Sequence, residues 1–127
     1  VAASFEWSWV DDAILLVRRT GLMSVQEAEQ LLKATEEATA AAPAVWGMVV
    51  DVRDAPPQAD AVQSKLRDVV AMHVERGVSR VAIVTRGTVT GMQMKRMASE
   101  PGMFEVSRVV YFNDLDEAMA DMRQALR

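Results

Sequence analysis

Large apolar and polar residues alternate through Phe5-Glu6-Trp7-Ser8-Trp9. A two-residue period predicts a half-buried strand. Asp11-Asp12 predicts a tight turn and Ala13-Ile14-Leu15-Leu16-Val17 a second strand, so the chain opens on a hairpin. The period then lengthens. Ser24 with Glu27 three residues later forms a capping box, in which each side chain satisfies a backbone N–H at a helix start. Ala28, Leu31, Leu32, Thr35 and Ala38 follow at helical spacing, and Pro43 ends the run. Val45 to Val52 is apolar on both faces, which suits a buried central strand.

The same alternation repeats to the end. Asp60 with Gln63 predicts a second capping box, with Asp60 as the cap. Val62, Leu66, Val69, Val70, His73 and Val74 form one stripe, and Gly77 suits the C-terminal cap. Arg80 to Thr85 predicts another two-sided strand. Thr90 with Gln93 suggests a third box, opening a short helix that carries Met94, Met97 and Ala98 and closes at Pro101-Gly102. Val109-Val110-Tyr111-Phe112 is the last strand. Asp114 with Glu117 is the fourth box, and Leu115, Ala118, Met119, Met122 and Leu126 stripe the last helix. The order β-β-α-β-α-β-α-β-α implies parallel strands joined by right-handed crossovers after an antiparallel start. With no linker or repeat in view, residues 1–127 are expected to form a single α/β domain with a five-stranded mixed sheet and four main helices.

Composition narrows the chemistry. A formal net charge of −4 argues against general nucleic-acid binding, which needs clustered Lys and Arg. The chain has no cysteine, which excludes disulfides, thiol nucleophiles and Cys-based metal sites, and a single histidine cannot build a His-rich one. No metal or cofactor is expected. Val1-Ala2-Ala3-Ser4 does not open a signal peptide, and no apolar stretch approaches the roughly 20 residues needed to span a bilayer. A cytoplasmic protein is expected.

Three stretches carry a resemblance to a known family: Met48-Val49-Val50-Asp51-Val52-Arg53, Arg80-Val81-Ala82-Ile83-Val84, and Val109-Val110-Tyr111-Phe112-Asn113-Asp114 leading into Glu117-Ala118. With the element order, they resemble the STAS superfamily of anti-sigma factor antagonist-like domains, and within it the SpoIIAA-like branch. The resemblance runs from about Phe5 onward. It implies a βα superhelix and a regulatory role through protein contact. In phospho-regulated members an Asp-Ser pair opens the helix after the middle strand. Here the family's spacing from Asp51 lands on Ala59-Asp60; the nearest hydroxyl, Ser64, already lies inside the helix. The phosphoacceptor is therefore not carried over. Asp60 places a fixed negative charge there, as a helix cap or, more sharply, as a mimic of the phosphate.

The residues offer few other sites. Asp51 and Asp54 form a candidate carboxylate pair, with Arg53 between them to neutralise it; a solvated turn is the plainer reading. His73 sits on an apolar stripe and suits a hydrogen-bonded structural role unless an Asp meets it. Arg86-Gly87-Thr88-Val89-Thr90-Gly91 follows a strand and opens a helix, so its backbone N–H groups could hold an anion beside Arg86 and Thr88. It matches neither a Walker loop nor a dinucleotide fingerprint. Asp51 could pose as a receiver-type phosphoacceptor. That reading fails because Asp11-Asp12 precedes its strand and Asn113 stands where a Lys is needed. Among nine methionines, Met92 and Met103 flank the short helix and are the candidates for exposure.

Successive crossovers are expected to put the helices mainly on one face of the sheet, leaving apolar strand residues on the other. A homodimer is the first expectation for covering that face, and a lipid-like ligand the second, by analogy with the related CRAL-TRIO superhelix. The expected function is a non-enzymatic regulatory or protein-interaction module. Its contact edge includes Asp51, Arg53, Asp54 and Asp60, with Arg86, Thr88 and Met92 nearby. The alternative is binding of a small apolar or lipid-like ligand, which would suit a peripheral place at a membrane surface.

Overall fold

Ser4–Val10 (β1) and Ile14–Thr20 (β2) pair as an antiparallel hairpin, followed by Val25–Thr39 (α1) and Gly47–Asp54 (β3). Asp60–Glu75 (α2), Arg80–Val84 (β4), Thr88–Ala98 (α3), Arg108–Phe112 (β5) and Leu115–Ala125 (α4) complete the chain. These elements come from a computed structural model that describes residues 4–86, 88–98 and 108–127, side chains excepted at Thr88, Met94, Met97, Ala98 and Arg108. The Pro101-Gly102 stop and Met103 lie outside the described residues. Strand order follows chain order, β1-β2-β3-β4-β5, with β2 to β5 parallel. The expected mixed five-stranded sheet, N-terminal hairpin and four helices are all present.

The local signals act mostly as read. Ser24 Oγ accepts from Glu27 N–H while Glu27 Oε1 accepts from Ser24 N–H, closing the capping box on α1. Asp114 caps α4 through its bond from Glu117 N–H. At the end of α2, Gly77 N–H donates to Val74 O and Val78 N–H to His73 O, with Gly77 at φ 83°. This is the paired-bond Gly stop that satisfies the last carbonyls of a helix. The hairpin turn puts Asp11 and Asp12 at φ 52° and 61°, the left-handed backbone that such turns require. Several strand bounds differ from expectation, β2 and β3 most. β2 runs on through Arg18, Arg19 and Thr20, and β3 begins only at Gly47, because Val45 is exposed.

The sheet is covered on both faces, which corrects the expected one-sided arrangement. On one face Leu15, Val17, Met48, Val50, Val52, Val81 and Ile83 pack with Leu31 of α1 and Leu66 and Val69 of α2. On the other, Ile14, Val49, Ala82 and Val84 pack with Ala118, Met119 and Met122 of α4. The C-terminal half of α4 is tied down by two ion pairs. Arg80 forks onto Asp121 at 2.8–3.0 Å, and Arg123 Nε meets the Asp11 carboxylate at 2.6 Å, so the helix is tied across the sheet at β4 and at the hairpin turn. Gly47 lets it come close. A Cβ there would lie 2.3 Å from Met122 Sδ and 3.2 Å from Arg80 O. Among the described residues, no helix is long and apolar enough to cross a membrane.

Candidate functional site

The carboxyl end of β3 brings together an ion cluster. Side chains alternate along the strand, so Asp51 faces the α4 side while Val50 and Val52 face the α1/α2 core. Asp51 is only 3% exposed, which corrects its reading as a solvated turn residue. Arg53 folds back on it: Nε meets Oδ1 at 3.0 Å, Nη2 meets Oδ2 at 2.9 Å, and the Arg53 backbone N–H adds a bond at 3.1 Å. Burial pushes the Asp51 carboxyl upward. The Arg53 bonds and the charges of Arg53 and Arg18 outweigh that and hold it below the usual carboxylate range. Asp54 is neutralised from elsewhere, by Arg18 at 2.9 Å and Arg86 at 3.8 Å. Arg53 thus serves Asp51, Arg86 serves Asp54, and Arg18 lies between the two carboxylates.

Beside this cluster α4 leaves the sheet uncovered. A groove of about 340 Å³ opens there, lined by Glu6, Leu16, Arg18, Asp51, Arg53 and Leu115, with Trp7 and Ser8 at its rim. Its walls carry charges of both signs, already paired to one another at Arg18, Asp51 and Arg53.

The loops above the strand ends are held by one side chain that sequence reasoning passed over. Gln58 is 7% exposed. Its Oε1 accepts from Met23 N–H at 2.8 Å, and its Nε2 donates to Gly21 O and Pro56 O. Its backbone N–H donates to Gln93 Oε1 on α3, and its carbonyl accepts from Gln63 and Gln93. Thr90 Oγ1 also donates to Ala55 O. Two expected capping boxes are corrected here. The α2 cap is Ala59, which has no side-chain bond to give, and Asp60 sits exposed in the first turn. Thr90 lies inside α3, so Gln63 and Gln93 bind the Gln58 loop instead of capping their own helices. The misleading signal was the three-residue spacing, which both arrangements share.

The remaining candidates scatter. His73 is buried on the α2 stripe, across the sheet from Asp51, so the two do not form an acid–base pair. Its Nδ1 has no hydrogen-bond partner among the described residues. Burial lowers its pKa from 6.5 to about 4, helped by the charge of Arg19. Arg19 is itself buried, and burial brings it from 12.5 to about 10, still charged at neutral pH. Arg86 is exposed and turned toward Asp54. Thr88 opens α3, and its side chain lies outside the described residues. Met92 is 63% exposed, as expected of a flanking methionine. Among the described residues, no group of three or more His, Asp or Glu side chains is arranged to hold a metal ion.

A parallel superhelix of four strands and four helices, opened by an antiparallel strand, is a STAS/SpoIIAA-like α/β fold. The solved structures it resembles agree. An uncharacterized protein with a SpoIIAA-like fold, of the DUF3478 family from Shewanella loihica PV-4, superposes with a TM-score of 0.66 at 16% identity, over 94% of this chain and 93% of that one. An anti-sigma factor antagonist from Mycobacterium paratuberculosis superposes with a TM-score of 0.63 at 16% identity, over 96% and 95% of the two chains. No protein-family model and no curated protein matches the sequence.

Proposed function

We propose that this chain is a non-enzymatic protein-interaction module of regulatory type, which binds its partner through the carboxyl edge of the sheet. The observation that carries the reading is the state of that edge. Its two carboxylates are occupied by arginines, with Asp51 buried and ionised, while the loops around it are pinned by Gln58 and present an exposed mixed surface. Leu22, Pro56, Pro57, Asp60, Val89 and Met92 are all exposed on these elements. General acid–base work needs a group free to exchange a proton with substrate near working pH. A fixed, solvent-facing surface of apolar and charged groups serves recognition instead. The fold of an anti-sigma factor antagonist points the same way.

In this reading regulation does not run through a serine at the start of α2. Ala59-Asp60 holds that place, and the exposed Asp60 carboxylate gives the edge a permanent negative charge at a helix N-terminus. For the lipid-like alternative the groove beside α4 offers Trp7, Leu16 and Leu115, but it sets Glu6, Arg18, Asp51 and Arg53 among them, which suits a wholly apolar ligand poorly. The test is affinity capture from the producing cells with wild type, Asp54→Lys and Asp60→Lys. A specific protein retained by wild type and lost by either variant, at unchanged melting temperature, supports the reading. A measurable turnover abolished by Asp51→Asn overturns it in favour of an enzyme.

A further inference from the structure

Strand order leaves β1 and β5 at the two edges of the sheet. An edge strand presents a row of backbone N–H and C=O groups open to pairing, and proteins ordinarily blunt it with charge, proline or a bulge. β1 carries Glu6 with exposed Ser4 and Ser8. β5 is different. Val109, Val110, Tyr111 and Phe112 follow one another without a charge or a proline, and each is half-buried. The register to β4 is unbroken, so no bulge turns the strand aside.

That register fixes which backbone groups are open. Phe112 O accepts from Thr85 N–H at 2.9 Å, so Phe112 turns its backbone groups toward β4. Alternate residues of a strand turn the same way. Val110 therefore shares that direction, while Val109 and Tyr111 point their N–H and C=O groups away from the sheet. Among the described residues nothing pairs with that side. The strand itself is well anchored: the side chains of Val109 and Tyr111 pack on the α1/α2 core and that of Phe112 on the α4 core.

We infer that the outer edge of β5 is the docking site for an extended segment of a partner protein, which adds a strand by bonding the open groups of Val109 and Tyr111 and lays β-branched or aromatic side chains beside theirs. Only an extended main chain matches a row of open backbone groups. The apolar neighbours on β5 select its side chains. A second copy of this chain fits less well. It brings only the five residues of β5 to the contact, a span of about 17 Å, and buries far less than the roughly 1,200–2,000 Å² of a stable protein pair. A flexible segment continues past the strand, into a cavity of about 390 Å³ at its carboxyl end, lined by Thr85, Tyr111, Phe112, Asn113 and Glu117. This surface goes beyond the contact proposed around Asp54 and Asp60, and it stands or falls apart from it.

The test uses the full chain and a labelled peptide of alternating Val and Thr, read by fluorescence anisotropy and by amide exchange in NMR. In the free chain the amides of Val109 and Tyr111 should exchange faster than those of Val110 and Phe112, and the peptide should slow the first pair. N-methylation at every second residue leaves the peptide one bonding edge and should preserve binding. Methylation at every residue blocks both edges and should abolish it. Val109→Pro removes one outward donor at no loss to the ladder, because an edge strand tolerates proline where the N–H faces solvent; it should weaken binding about tenfold. Circular dichroism checks that this variant is folded, and the methylated peptides decide the matter if it is not. Asp60→Lys, which probes the other contact, should leave peptide binding unchanged. Val109 and Tyr111 amides as protected in the free chain as their neighbours overturn the inference. So does equal binding of all three peptides, or of none. Protection of β5 that rises with chain concentration, together with a doubled mass, also overturns it, because a second copy is then the occupant.

Discussion

At the residue scale the two buried basic groups, Arg19 and His73, matter most for how the protein responds to pH. Arg19 keeps its charge, so a proton on His73 would place a second positive charge in the same apolar interior. The unfolded chain takes up that proton at the ordinary His pKa of 6.5, whereas the folded chain holds off until about 4. Between those values unfolding binds a proton, so stability falls as pH falls, and below about 4 the loss levels off. The total loss is on the order of 3 kcal/mol, from about 1.4 kcal/mol for each pH unit of displacement. Urea melts of wild type and His73→Leu between pH 7 and pH 4 measure it. The variant should lose most of this slope, while wild type and variant curves that run parallel would show that His73 is not the sensor. The sequence placed His73 on its apolar stripe correctly. It could not reveal the charge opposite, because Arg19 sits two residues past the expected end of a strand, at an inward-facing position where a long cation is uncommon.

At the scale of elements, most boundaries were legible because hydrophobic period and capping residues agreed, as at Ser24–Glu27 and Asp114–Glu117. They parted at Asp60 and Thr90, where an acid or hydroxyl three residues before a glutamine imitates a cap. Both glutamines are drawn away by Gln58: Gln63 from five residues along the chain and Gln93 from 35, the second a contact that no local pattern encodes. This makes Gln58 the position that sets how firmly the carboxyl edge is held. Gln58→Ala removes the bonds to Met23, Gly21 and Pro56 and leaves a buried N–H and two carbonyls to find water. The expected cost is about 1–3 kcal/mol. Hydrogen exchange should localise the change to residues 21–23, 55–58 and the start of α3, with the β3 and β4 amides still protected. If protection falls uniformly across the sheet, Gln58 serves the core and not the edge.

At the scale of the molecule, the position of α4 bears on self-association. The sequence predicts a homodimer to cover a sheet face without helices. That face is already closed by Ala118, Met119 and Met122, and the area left beside it is a groove whose arginines and aspartates are paired within the chain. Stable homodimers bury large, apolar surfaces. Among the described residues the large exposed apolar side chains are Trp7 on the edge strand, Leu22 and Val25 at the entry to α1, Val45 in the loop before β3, and Val89 and Met92 on α3, and of these only Trp7 lines the groove. Of the two edge strands, β1 is protected, since it carries Glu6 and mostly polar exposed positions. The chain is therefore expected to run as a monomer of 14.0 kDa by light scattering at micromolar concentration. A mass twice that, unchanged on dilution, would contradict the prediction and direct attention to the groove. Arg18→Glu would then separate the possibilities, since reversing a groove charge should split a dimer seated there and leave one formed through α3 intact.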